Sequence, residues 1–222
     1  MKKFILMASA LLASCGSEYN SDLDIVGGQR APYKAFYAKA GGCGASLIGE
    51  KRRWLISARH CGDPQKATIG LWKKSPGNGG KFKEEIKIVK IVKHPDWDLQ
   101  LLKLARPSKA TPITLSTHSI EDGAKLSAFG FGNTSFGGNG PDQLKGAVFF
   151  YNERATQRAR PGIIRASNRP NAAVCHGDSG GPLVYNGRLL ATITFTEGKC
   201  SVNGLMGFTR IDFNWVSDII NE

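Results

Sequence analysis

The stretch Gly177-Asp178-Ser179-Gly180-Gly181-Pro182 decides how the rest of the chain is read. A serine flanked by glycines leaves room for a carbonyl group beside its hydroxyl, and the bare backbone can turn several N–H groups toward one point, as an oxyanion hole requires. A serine hydroxyl is a weak nucleophile until a base takes its proton, so a histidine is needed elsewhere, with a buried carboxylate to orient it. His60 ends the run Leu55-Ile56-Ser57-Ala58-Arg59-His60-Cys61, beside a cysteine that can tie it to a scaffold, whereas His94, His118 and His176 lack that setting. Asp98 stands just before the apolar run Leu99 to Leu104, where an acid can be buried against a strand and meet an imidazole.

Outward from these residues, the 222-residue chain is 41% hydrophobic and 22% charged, which suits a folded protein and excludes a disordered or polytopic membrane chain. Short apolar runs of strand length, among them Trp54 to Ser57, Ile86 to Val92, Leu126 to Phe129 and Leu189 to Phe195, are punctuated by glycine clusters such as Pro76 to Gly80. That pattern predicts an all-β antiparallel architecture. The clearest helical segment is Phe213 to Ile220, with Trp215, Val216, Ile219 and Ile220 on one face. The formal net charge is +12, and residues 1–24 hold two lysines against three acids, so the excess belongs to the remainder. A cationic surface attracts nucleic acid or envelope polymers through charge alone. The basic residues are scattered, and no dedicated nucleic-acid role is expected.

The N-terminus has the layout of an export signal: Met1-Lys2-Lys3, then an apolar run from Phe4 to Ala13 too short to span a bilayer permanently. Leu12-Ala13-Ser14-Cys15 resembles the lipobox of bacterial lipoproteins, in which the cysteine is lipid-modified; an ordinary signal peptide with Cys15 incidental is the alternative. We therefore expect a signal peptide over 1–14, a polar tether or propeptide over 15–24, and a folded domain over 25–222. Setting Cys15 aside leaves Cys43, Cys61, Cys175 and Cys200, which can pair in three ways. No C-x-x-C spacing or close histidine pair suggests zinc instead.

Five segments in order then resemble the chymotrypsin-like serine proteases from Ile25 to Glu222. They are Ile25-Val26-Gly27-Gly28, Ser57 to Cys61, Asp98 to Leu104, Gly177 to Pro182, and the closing Phe208-Thr209-Arg210-Ile211 with Asn214-Trp215-Val216. The resemblance implies two six-stranded antiparallel β-barrels packed together, a short C-terminal helix, and hydrolysis of polypeptide substrates with no metal or cofactor. It implies that His60 takes the proton of Ser179, that Asp98 fixes the imidazole, and that the Gly177 and Ser179 amides hold the oxyanion. It pairs Cys43 with Cys61 and Cys175 with Cys200.

By the same resemblance, Asp178 pairs with the α-amino group freed at Ile25 when an activating protease cuts the precursor. Asp24 before that bond, where many relatives carry Arg or Lys, argues against a trypsin-like activator. Ala173 falls at the base of the specificity pocket, with Thr196 and Met206 on its walls, and together they point to small aliphatic residues before the scissile bond; a deeper pocket favouring Leu or Phe is the alternative. Thr194 and Phe195 offer backbone to an extended substrate. Gly130-Phe131-Gly132 matches a structural segment, His176 a rim position, and Arg59 stands where a small residue is usual. A monomer is expected, touching membrane only through a lipid on Cys15. A catalytically silent homologue acting as a protein-binding module is the competing reading.

Overall fold

The structure, a computed structural model, describes residues 25–168, 172–196, 200–202 and 204–221. Residues 1–24, and with them the expected signal, Cys15 and Asp24, lie outside the described residues. A two-residue strand, β1 (Gln29–Arg30), precedes a closed barrel of β2 (Tyr37–Ala40), β3 (Cys43–Ile48), β4 (Trp54–Ser57), β5 (Lys66–Ile69), β6 (Glu84–Lys93) and β7 (Gln100–Leu104), in the order β2-β3-β4-β7-β6-β5. The second barrel comprises β8 (Lys125–Gly130), β9 (Lys145–Tyr151), β10 (Ile163–Asn168), β11 (Pro182–Tyr185), β12 (Arg188–Thr196) and β13 (Leu205–Arg210). Its order is β8-β9-β10-β13-β12-β11, returning to β8, with β1 added along β9. The fold is thus chymotrypsin-like, with all barrel pairings antiparallel and no open edge in either barrel.

Alternation explains β6, where Ile86 and Ile88 are buried and Lys87 and Val89 are exposed. By contrast, β4 is buried throughout because both of its faces are covered. Leu55 enters the barrel core with Ala45, Leu47 and Leu102. Trp54 and Ile56 face outward onto a second cluster with Leu101, Leu189 and Val216. Val216 belongs to the terminal helix α2 (Phe213–Ile220), whose N-cap Asp212 accepts a hydrogen bond from the Trp215 N–H. A short helix, α1 (Glu153–Gln157), has no counterpart in the sequence reading; Asn152 caps it through the Ala155 N–H.

The barrels meet along bare backbone. The Gly44 N–H donates to Ser179 O at 2.8 Å, and a Cβ on Gly44 would sit 2.7 Å from Gly181 Cα. Any larger residue at Gly44 would force the two halves apart.

Candidate active site

Sheet register brings His60 to Asp98. Ser57 at the end of β4 pairs with Gln100 at the start of β7, so the tight turn Arg59–Cys61 and the residue two places before β7 leave the barrel side by side. Asp98 Oδ2 lies 2.6 Å from His60 Nδ1, and Asp98 Oδ1 accepts the His60 backbone N–H at 2.8 Å. With its Nδ1 proton given to the carboxylate, the imidazole keeps Nε2 as the basic nitrogen. A disulfide between Cys43 and Cys61 anchors the turn to β3.

The Asp98 hydrogen bond and charge raise the imidazole above its ordinary pKa, outweighing the opposing effect of partial burial. Burial pushes the Asp98 carboxyl up, but the hydrogen bonds from His60 and the imidazolium charge hold it below its usual range.

Two residues without a functional signature in the sequence hold this corner. The Arg59 guanidinium turns away from the imidazole and donates to His94 O at 3.0 Å and Pro95 O at 2.9 Å. Buried His94 accepts the Asp96 and Trp97 N–H groups at Nδ1, while its Nε2 lies 3.3 Å from the carboxylate of Asp212. The loop that carries Asp98 is thereby tied both to the His60 turn and to the cap of α2.

Ser179 is half-buried at the barrel seam. A Cβ on Gly180 would run into Ser57 Oγ, Gly44 O and Ala58 N, so the serine loop abuts the strand end that leads into His60. Gly180 also has φ of 74° and Gly177 φ of 94°, conformations that other residues rarely adopt. Among the described residues Ser179 Oγ makes no hydrogen bond to His60; such bonds are commonly long without substrate and tighten when it binds. The amides of Asp178, Gly180 and Gly181 donate to Cys175 O, Ile193 O and Asp178 O. Those of Gly177 and Ser179 find no acceptor among the described residues.

Asp178 is fully buried. Its carboxylate fills the space left by two glycines, since a Cβ at Gly130 or Gly132 would strike it, and it accepts the N–H groups of Gly132 at 2.7 Å and Cys175 at 2.9 Å. Burial pushes its pKa up to about 6 despite those hydrogen bonds and the opposing charge of Lys39. No ion pair to Asp178 exists among the described residues. Ile25 is buried in the second-barrel core with φ of 46°, and Val26 O accepts the Ala173 N–H at 2.8 Å. The Ile25–Val26 segment thus docks at Ala173, five residues before Asp178.

Ala173 and Met206 are both fully buried in that core beside Ala172 and Val174. Met206 pairs with Thr196 across β13 and β12, while the side chain of Thr196 lies outside the described residues. A disulfide joins Cys175 to Cys200, and exposed His176 packs its ring against Phe136 at 5.7 Å. The grouping of His60 with Cys43 and Cys61 has metal-like proximity, but its sulfurs are spent in the disulfide. No described helix is long and apolar enough to cross a membrane.

Residues 25–219 match the family described as Trypsin. The chain belongs to the trypsin family. It is a serine endopeptidase on that membership. Human Kallikrein-8 is 32% identical over 204 residues, covering 81% of this chain and 77% of the relative. Dog Serine protease 1 is 31% identical over 245 residues, covering 98% and 96%. Among solved structures, mouse neuropsin superposes with a TM-score of 0.77 at 24% identity, covering 87% of this chain and 98% of that one. Human heparin binding protein gives 0.77 at 22% identity, covering 89% and 97%. Both of these relatives by sequence, Kallikrein-8 and Serine protease 1, are mammalian.

Proposed function

We propose that the chain is an exported serine endopeptidase, made as a precursor, in which Ser179 attacks a peptide carbonyl with His60 as general base and Asp98 as orienting carboxylate. The observation that carries this reading is the His60–Asp98 pair at 2.6 Å beside a serine loop with two unspent amides. His60 Nε2 takes the hydroxyl proton as Oγ bonds to the carbonyl carbon. The Gly177 and Ser179 amides receive the negative oxygen. The imidazolium then hands its proton to the leaving amine, and water repeats the sequence to release the acyl group.

Maturation is a cut before Ile25. A β-branched residue at φ of 46° is strained, at a cost of order 1–3 kcal/mol. That torsion is defined by the peptide bond to Asp24, so cleavage relieves it and supplies a cation to an unpaired buried carboxylate. Substrate preference is for small aliphatic residues before the scissile bond: Ala173 offers no charge to Lys or Arg, and Met206 takes up pocket volume. Two disulfides suit an oxidising compartment. Export directed by residues 1–14, with lipid on Cys15 in a bacterial envelope, completes the reading.

The test is a fluorophosphonate probe and a peptide library, both applied to protein starting at Ile25. Expected are labelling that disappears in Ser179→Ala and cuts after Ala or Val. Absent labelling refutes the nucleophile, and cuts after Lys or Arg refute the pocket assignment.

A further inference from the structure

Beside Asp98, a cavity of about 890 Å³ opens between Trp97 and the turn after α1. Arg158, Arg160 and Arg165 all line it. The turn that presents the first two is rigid: a Cβ on Gly162 would lie 2.6 Å from the Trp97 ring, Arg160 O accepts the Ile163 N–H, and Gly162 O accepts the Arg210 N–H. Among the described lining residues, Arg158 and Arg160 face two acids, Asp96 and Asp98. Asp98 is committed to His60, which leaves exposed Asp96 as the other acid among the described lining residues. Neither Arg158 nor Arg160 forms an ion pair among the described residues.

Thr194 and Leu205, from the facing ends of β12 and β13, close the floor. An extended substrate that adds to the end of β12 passes over this floor. If Ser179 attacks the carbonyl at one end of that track, the residues N-terminal to the bond run toward the arginines. We infer that this cavity is a subsite for an acidic side chain two to four residues upstream of the bond that is cut. The inference rests on the endopeptidase reading above. The chemistry is that of a carboxylate held by a planar guanidinium fork, with Trp97 and Pro161 also lining the cavity.

The measurement is kcat/KM for paired peptides that differ only by Glu or Gln, moved in turn through the three upstream positions, with protein starting at Ile25. At one of these positions the Glu/Gln ratio should be about fivefold at low salt, the upper end for a partly exposed charge pair. It should shrink at high ionic strength, fall to about one in the Arg158→Gln/Arg160→Gln double variant, and rise in Asp96→Asn. The ratio within each enzyme cancels any general loss from folding. A ratio near one at all three positions, with both peptides cut and Ser179 labelled by fluorophosphonate, overturns the subsite alone. So does equal slowing of both peptides by a sulfated oligosaccharide with no Glu preference, which would assign the arginines to a polyanion. No cutting and no labelling would bring down the endopeptidase reading and the subsite with it.

Discussion

The two barrels build their halves of the site by different means. In the first, His60 and Asp98 leave adjacent strands whose register sets their spacing, and a disulfide, Arg59 and His94 brace the two turns. In the second, the serine loop wraps a buried carboxylate that accepts two amide N–H groups and has no ion pair among the described residues, and Ile25 is held at φ of 46° in the core of the same barrel. One half is fixed by hydrogen-bonded sheet, with His60 and Asp98 already paired. The other holds a buried carboxylate with no ion pair among the described residues, and under the precursor reading proposed above a cut before Ile25 would bring it a cation.

If the first half is complete before maturation, its carboxylate acts the same way in both forms. Asp98→Asn should lower kcat by roughly 10⁴, the loss that serine proteases with this arrangement suffer when the imidazole takes the wrong tautomer. The His60 pKa should fall from its raised value toward that of ordinary histidine, equally in the uncut chain and in protein starting at Ile25. Imidazole titration by NMR reads this directly. A His60 pKa that is ordinary in the uncut chain and raised only after the cut would erase the contrast between the barrels.

The second half should show its deficit in stability. The folded state binds the Asp178 proton more tightly than the unfolded chain, so this group favours the fold most below pH 4 and loses that contribution as pH rises through about 6. A change from 3.8 to about 6 corresponds to about 3 kcal/mol. The raised His60 pKa acts in the same direction, with stability fading as pH climbs past it. Glu84, Asp98 and Asp212 have lowered values and act oppositely, but only on acidification below the carboxylate range. The thermal stability of the uncut chain should therefore fall between pH 4.5 and 7. In protein starting at Ile25, an ammonium beside Asp178 should flatten or reverse that slope. Identical slopes in the two forms would mean that no cation reaches the carboxylate.

Local chemistry made much of this legible in sequence. The serine loop, the His60 turn and the Asp98 segment each carry their function in neighbouring residues, and the apolar runs mark β4 and most of β6, β8 and β12. Strand β2 was not visible because Ala38 and Ala40 contribute little apolar contrast; they are strand because β3 and β5 pair with them from either side. β10 mixes Arg165 and Ser167 with its apolar residues, and the capped turn α1 has no apolar face. His94 read as an unplaced histidine because its partner Asp212 lies 118 residues away. The arginine-lined cavity is assembled from four separate segments and has no linear signature.

The smallest effect separates two roles for Arg59. A cation aimed at His60 would disfavour the imidazolium, and its removal would raise the pH at which activity is lost on acidification. The guanidinium instead holds the His94 and Pro95 carbonyls, so its work is to fix the loop that ends in Asp98. Arg59→Met keeps the aliphatic stem and removes two charge-assisted hydrogen bonds. Because the exposed end of the loop can recruit water in their place, the expected loss is a few-fold in kcat, roughly 1 kcal/mol of transition-state stabilisation. KM and the acid limb of the pH profile should stay where they are. A shift of that limb with kcat preserved would return Arg59 to an electrostatic role on the imidazole and weaken the claim that packing alone readies the first barrel.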